Sequence, residues 1–209
     1  MARTMTKVAI IMIAIAGVEA WPLALSLGTR NLERYGRIFG FNPAAGAAWV
    51  AAGLIALAYC AYAMARLPVI RRRLFELHWL KLLAIPFALI TGAFEEIYFR
   101  KGLMDVAANH GLGWIAQLAA SAIVFGLAHL FWGLLGRNRR MAWGACAATG
   151  VLGGALAGVY LLAGRDVAPC IWAHIAINLA IEPWLLVAAV SAGTAATGRS
   201  GPAVLAPVR

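Results

Sequence analysis

Residues 82–104 read LLAIPFALITGAFEEIYFRKGLM. A helix needs about 20 predominantly apolar residues to cross a bilayer. This stretch is long enough, and apolar enough through Phe94, to be such a helix. Its second half then carries Glu95, Glu96 and Arg100. Ionisable side chains inside a spanning helix are costly and usually mark function. The segment therefore says two things at once: the chain is built for lipid, and its chemistry sits within the apolar part.

The flanking sequence has the same character. Hydrophobic residues make up 63% of the chain and charged residues 12%, with a mean hydropathy of +0.82. A soluble domain runs nearer half apolar and about a quarter charged. Six apolar segments, at about residues 8–28, 44–65, 82–104, 114–135, 142–163 and 168–192, are expected to span. The expected fold class is all-α, a polytopic transmembrane helical bundle of about six helices. One domain covers residues 1–193, with the polar residues in a core over about 82–192, and residues 194–209 form a flexible tail. Gly150, Gly153, Gly154 and Gly158 read as packing residues, because small side chains let membrane helices approach closely. Met1 to Lys7 is basic and precedes an apolar run, as in a signal peptide, and Val18-Glu19-Ala20 faintly resembles a cleavage site. The run resumes through Leu27, longer than a signal core needs, so an uncleaved first helix is expected.

A net charge of +10 invites a nucleic-acid reading. The basic residues instead cluster between apolar segments, at Arg71, Arg72, Arg73 and at Arg137, Arg139, Arg140, where topology-setting charges belong. No nucleic-acid partner is expected. Membrane lipid is, with anionic headgroups drawn to those clusters. Residues 66–81 are expected to lie partly as an amphipathic helix at the interface. With the N-terminus inside, Arg3, Lys7, Arg66, Arg71, Arg72, Arg73, Lys81, Arg137, Arg139, Arg140, Arg199 and Arg209 fall inside. Only Arg30, Arg34, Arg37, Lys101 and Arg165 fall outside. Both termini are therefore expected in the cytoplasm. Cys60, Cys146 and Cys170 lie in apolar segments without a CxxC pair and make no disulfide framework.

Few polar groups sit inside the segments: Glu19, Glu95, Glu96, Arg100, His129, His174 and Glu182, joined by Asn178. Glu96 and Arg100 are four apart, on one helix face, and can pair. That leaves Glu95, about 100° around the helix, without an obvious local partner and suited to general-base work. A structural ion pair with one interfacial glutamate explains this motif equally well. Phe125 and His129 share a face, so the ring can wall the imidazole, although a lone histidine on an apolar helix is ordinarily a satisfied core residue. His174 and Asn178 share a face and form a donor pair suited to an oxyanion; the plainer alternative is a helix-to-helix hydrogen bond. Taken together, three helices carry groups that can activate water and stabilise a tetrahedral intermediate, and their convergence would make a hydrolytic site.

Glu95-Glu96-x-x-x-Arg100, then Phe125-x-x-x-His129, then His174-x-x-x-Asn178 resemble, in order and interval, the three motifs of the CPBP intramembrane proteases. This family comprises the type II CAAX prenyl endopeptidases and is also called the Abi family. The stretch SAIVFGLAHL (residues 121–130) looks typical of it. The resemblance covers about residues 90–180. It implies an intramembrane glutamate-type endopeptidase, in which Glu95 activates water with help from His129. It further implies that His174 and Asn178 stabilise the oxyanion, while Glu96 and Arg100 hold the first motif in shape. Lys101 stands where a glycine often follows the arginine, and Gly102 comes one later. Glu95, His129 and His174 are also an alternative zinc-ligand set with an open position. No HExxH is present and asparagine is a poor zinc ligand, so a mechanism without a metal cofactor is favoured.

Cys170 lies four residues before His174 and is geometrically allowed as a nucleophile, but buried cysteine is more often packing. Glu19, before Pro22, and Glu182, before Pro183, are read as supporting or structural residues, and Glu182, four after Asn178, can bond to it or line the same cavity. With the boundaries above, His129 lies about 9 Å from the inner edge and His174 about 9 Å from the outer edge of a core about 30 Å thick. Convergence then requires the last helix to start deeper, or the Gly164 to Pro169 loop to dip inward. The expected substrate is a membrane-attached peptide or protein, with prenylated CAAX tails, peptide leaders and C-terminal sorting tails as known classes by resemblance. Two other functions use the same residues: a non-catalytic scaffold or immunity protein on this fold, and a proton-coupled transporter. The transporter is disfavoured because no inverted repeat is visible.

Overall fold

The computed structural model of the chain describes residues 2–27 and 38–198. Arg30, Arg34 and Arg37 of the first connection, and residues 199–209 of the expected tail, lie outside the described residues. Among the described residues there is no strand, and the fold is a polytopic all-α bundle. It begins with α1 (Ala2–Leu27), and a 3-10 turn (Pro43–Ala45) leads into α2 (Gly46–Arg66). The short α3 (Pro68–Arg73) precedes α4 (Trp79–Glu96), which runs on through a π-helical stretch (Ile97–Met104) and a last α-turn (Asp105–Asn109). Then come α5 (Trp114–Ala128), α6 (Phe131–Gly136), α7 (Arg139–Leu162), α8 (Ala168–Ile181) and α9 (Trp184–Gly198).

Local chemistry explains the boundaries. Pro68 opens α3 at a position where a missing N–H costs nothing. The His78 ring accepts from Leu80 N–H at 3.2 Å and starts α4. Asn138 Oδ1 accepts from Arg140 N–H at 2.9 Å and starts α7, just after Arg137 turns the chain with a φ of 48°. Among the described residues, five helices are long and apolar enough to cross a membrane, or six if the bent pair α8–α9 counts as one span. Large apolar side chains such as Leu54, Leu57, Leu82 and Val151 project outward from them, as a lipid-facing surface requires.

The expected spans differ from the observed ones in three places, and all three bear on the site. The third span is longer: it runs Trp79–Asn109 as 31 residues, because the π-helical stretch carries the helix past Arg100. The fourth loses its α-helical path after Ala128 and regains it at Phe131. The sixth is broken into α8 and α9, bent by 53°, since Pro183 has no N–H and its ring clashes with the preceding turn. Lys81 Nζ donates to the carbonyls of Leu179 and Ala180 at 2.9 and 3.0 Å, serving acceptors at the end of α8 that have no helical donor.

The glycines of α7 act mainly as packing surfaces. A Cβ at Gly126 of α5 would stand 2.7 Å from Cys146 O and 3.1 Å from Gly150 Cα. Gly153 lies beneath Phe125 and Gly154 against Ala122, whereas Gly158 meets nothing within 4 Å. The close α5–α7 contact presses Phe125, which is fully buried, toward the middle of the bundle.

Candidate active site

The site is assembled from α4, the end of α5 and α8. Glu96 and Arg100 lie one turn apart on the α4 span, and both side chains are fully buried. Their ion pair is 2.9 Å long, from Arg100 Nε to Glu96 Oε2. The guanidinium also donates to Gly153 O at 3.4 Å and sits over the Phe125 ring, 5.0 Å from its centroid. A buried cation needs compensation of this kind. The other oxygen of Glu96, Oε1, accepts from His174 Nδ1–H at 2.8 Å. One carboxylate therefore ties the α4 arginine to the α8 histidine.

Glu95 points elsewhere, into a cavity. Its Oε2 is buried without a hydrogen-bond partner, 3.7 Å from His129 Nε2 and 3.9 Å from His174 Nε2. Both separations exceed direct hydrogen-bond length. Each imidazole is oriented through its other nitrogen: His174 by Glu96, and His129 by donation to Phe125 O at 2.8 Å. The interruption after Ala128 is what lets His129 turn inward at the helix end. Phe125 walls both rings, with centroids 4.6 Å from His129 and 5.8 Å from His174. Asn178, one turn beyond His174, donates to Thr91 Oγ1 at 3.0 Å, and Thr91 in turn donates to Phe87 O. An amide nitrogen has two hydrogens, so one remains for the cavity.

The cavity has a volume of about 480 Å³ and is lined by Glu95, His129, His174 and Asn178 together with aromatic side chains. Every sequence-predicted site residue is thus in one place: those four on the cavity, Phe125 between the imidazoles, and Glu96 and Arg100 behind them. Cys170 is not; its thiol is buried and donates to Leu156 O at 3.2 Å. Glu19 and Glu182 line the same cavity. Two participants were not singled out from sequence. Thr91 had a signal, since it stands one helical turn before Glu95; Tyr59, from α2, had none.

The lengths of the elements account for the convergence. The span Trp79–Asn109 is 31 residues long, well beyond the roughly 20 that a bilayer core needs, so α5 has room to start beyond the level that a flush span would give it. The 14 residues of α8 reach only about 21 Å, so that helix does not cross alone, and His174 falls midway along it.

A glutamate and two imidazoles are zinc-ligand types, and their outer nitrogens are held as those of metal-bound histidines are. The spacing in this structure is wider than a bound ion would set. Ligand bonds of about 2.0–2.1 Å set tetrahedral ligand atoms about 3.4 Å apart, less than either separation from Glu95. Among the described residues, no group of three His, Cys, Asp or Glu side chains is placed to hold a metal ion.

The bundle thus buries a carboxylate facing two oriented imidazoles in a cavity that also carries an amide donor. Residues 77–180, about half of the chain, match the family model described as type II CAAX prenyl endopeptidase Rce1-like, and the chain belongs to that family. No curated protein and no solved structure matches it. The matched segment contains all seven motif residues and excludes Glu19, Tyr59 and Glu182.

Proposed function

We propose that this protein is an intramembrane endopeptidase that hydrolyses a peptide bond of a membrane-attached peptide or protein through water activated by Glu95. The observation that carries this reading is the Glu95 carboxylate, with a buried, unpartnered Oε2 facing two imidazole Nε2 atoms at 3.7 and 3.9 Å. A water bound to that oxygen reaches both rings, which direct separations of this size do not. Its oxygen attacks the scissile carbonyl carbon while Glu95 takes one proton, and His129 Nε2 orients the water by accepting its other hydrogen. The oxyanion accepts hydrogen bonds from the free Asn178 N–H and from His174 Nε2–H, in the ring form whose Nδ1–H is already engaged by Glu96. The C–N bond then breaks, and Glu95 returns its proton to the leaving nitrogen. No step passes through a metal.

The family match supports a CAAX-type protease, and prenylated CAAX tails are the first substrates to try. The aromatic, mostly apolar wall of the cavity suits an extended peptide strand entering from the membrane. The basic residues at the ends of α2, α3 and α6 and the start of α7 favour a cytoplasmic location for that end of the bundle and for both termini.

The test compares peptide termini in membrane fractions from cells carrying the wild type or Glu95→Gln. The expected result is at least one terminus lost in the variant, with cleavage reduced by about 10²–10⁴, the usual contribution of a general base. If every terminus persists in Glu95→Gln membranes at wild-type levels, the protein is not this protease.

A further inference from the structure

A second cleft, of about 410 Å³, opens between α2, α7 and α9 on the side of the basic clusters. Its rim carries Arg66 from the last turn of α2, with Asn138 and Arg140 from the start of α7. Both arginines are exposed, and neither has a carboxylate partner among the described residues. Among the described residues, none that lines the cleft is acidic. Away from the rim the walls become apolar. Tyr59, Tyr62 and Ala148 also line an adjoining groove of about 470 Å³, whose remaining walls are aliphatic residues of α2 and α7. The two volumes make one feature, cationic and polar at the membrane edge and apolar along the bilayer depth. Asn138 spends its side-chain oxygen on the α7 backbone, so its amide hydrogens are the atoms it has for an anion.

A molecule that matches this sequence of surfaces has a phosphate at one end and an acyl chain at the other. We propose that the α2–α7 groove is a binding site for an anionic glycerophospholipid, with the headgroup phosphate between Arg66 and Arg140 and an acyl chain along Tyr62 and Ala148. Basic pockets between helices on one membrane face select anionic headgroups in this way. The cleft shares Tyr59, Trp132 and Thr149 with the cavity around Glu95, and the groove shares Tyr59 and Leu152, so the bound lipid would lie against that cavity's outer wall. The site does not depend on the proposed proteolysis.

The experiment uses the full chain in a neutral detergent, titrated with phosphatidylglycerol, phosphatidylcholine or inorganic phosphate, with binding read by native mass spectrometry and by the unfolding temperature. The expected result is one retained phosphatidylglycerol and a raised unfolding temperature with that lipid alone. Affinity should fall about fivefold for each arginine removed, or about 25-fold in Arg66→Gln/Arg140→Gln. Arg66→Lys/Arg140→Lys, which keeps the charge, should retain most of it. Arg71→Gln/Arg72→Gln/Arg73→Gln, which removes more charge from the same face, should bind as the wild type does. The proposal is overturned if the triple variant loses as much as the double one, since diffuse charge then suffices. It is equally overturned if phosphatidylcholine binds as well, or if inorganic phosphate gives the same stabilisation.

Discussion

Glu96→Gln tests the architecture most directly, because one carboxylate holds both Arg100 and His174 in a fully buried place. Oε2 lies 2.9 Å from Arg100 Nε and Oε1 accepts from His174 Nδ1–H at 2.8 Å. The neutral amide keeps the shape and removes the charge. Arg100 is then left buried with one carbonyl at 3.4 Å and the face of Phe125. Removing one member of a buried ion pair costs about 3–5 kcal/mol, roughly two to three and a half orders of magnitude in the folding equilibrium. The full chain, unfolded reversibly in mixed lipid–detergent micelles by added denaturing detergent, measures this. The companion variant Glu96→Gln/Arg100→Met replaces both charges, and such replacements are often neutral, so stability should return to within about 1–2 kcal/mol of wild type. Cleavage should not return, because the imidazole of His174 still lacks its anionic acceptor. A loss below about 1 kcal/mol in Glu96→Gln, the scale of an exposed pair, would refute this reasoning. So would a double variant whose losses simply add.

Three further outcomes are expected. A Cβ at Gly92 would stand 2.8 Å from Ile175 Cγ1 and 3.1 Å from its backbone nitrogen. Gly92→Ala should therefore cost about 1–3 kcal/mol and lower turnover by moving α4 from α8, as read by unfolding and cleavage assays on the same sample. Cys170→Ala should keep activity within about twofold, because the thiol faces Leu156 O and not the cavity; inactivation of a well-folded variant would restore cysteine as a nucleophile. Prolonged treatment with a zinc chelator should leave peptide cleavage intact, and loss of activity that returns on adding zinc would show that the 3.7 and 3.9 Å separations close around an ion.

Much of this protein is legible in its residues taken in order. Apolar runs near bilayer length force helices, because no other open structure satisfies its backbone in lipid. The cost of burying charge picks out Glu95, Glu96, Arg100, His129 and His174 without reference to geometry, and spacing of four pairs Glu96 with Arg100 along one helix face. These inferences are local: each depends on neighbours within a turn or two.

What lies between helices depended on tertiary structure. The sharing of Glu96 between Arg100 and His174, residues 78 apart in the second case, has no trace in either motif. Straight, flush spans set the two histidines at different depths, so the sequence could require their convergence but not say how the backbone achieves it. The π-helical extension of α4, the interruption after Ala128 and the break at Pro183 together bring them to Glu95, and hydropathy does not register the path of an apolar backbone. Tyr59, Glu19 and Glu182 join the cavity wall only because α1, α2 and the α8–α9 bend are folded against it. Composition and periodicity report what each segment must avoid in lipid; which polar atoms meet is set by the close packing of helices, here at Gly92, Gly126 and Gly153, where small residues remove the only steric barrier to contact.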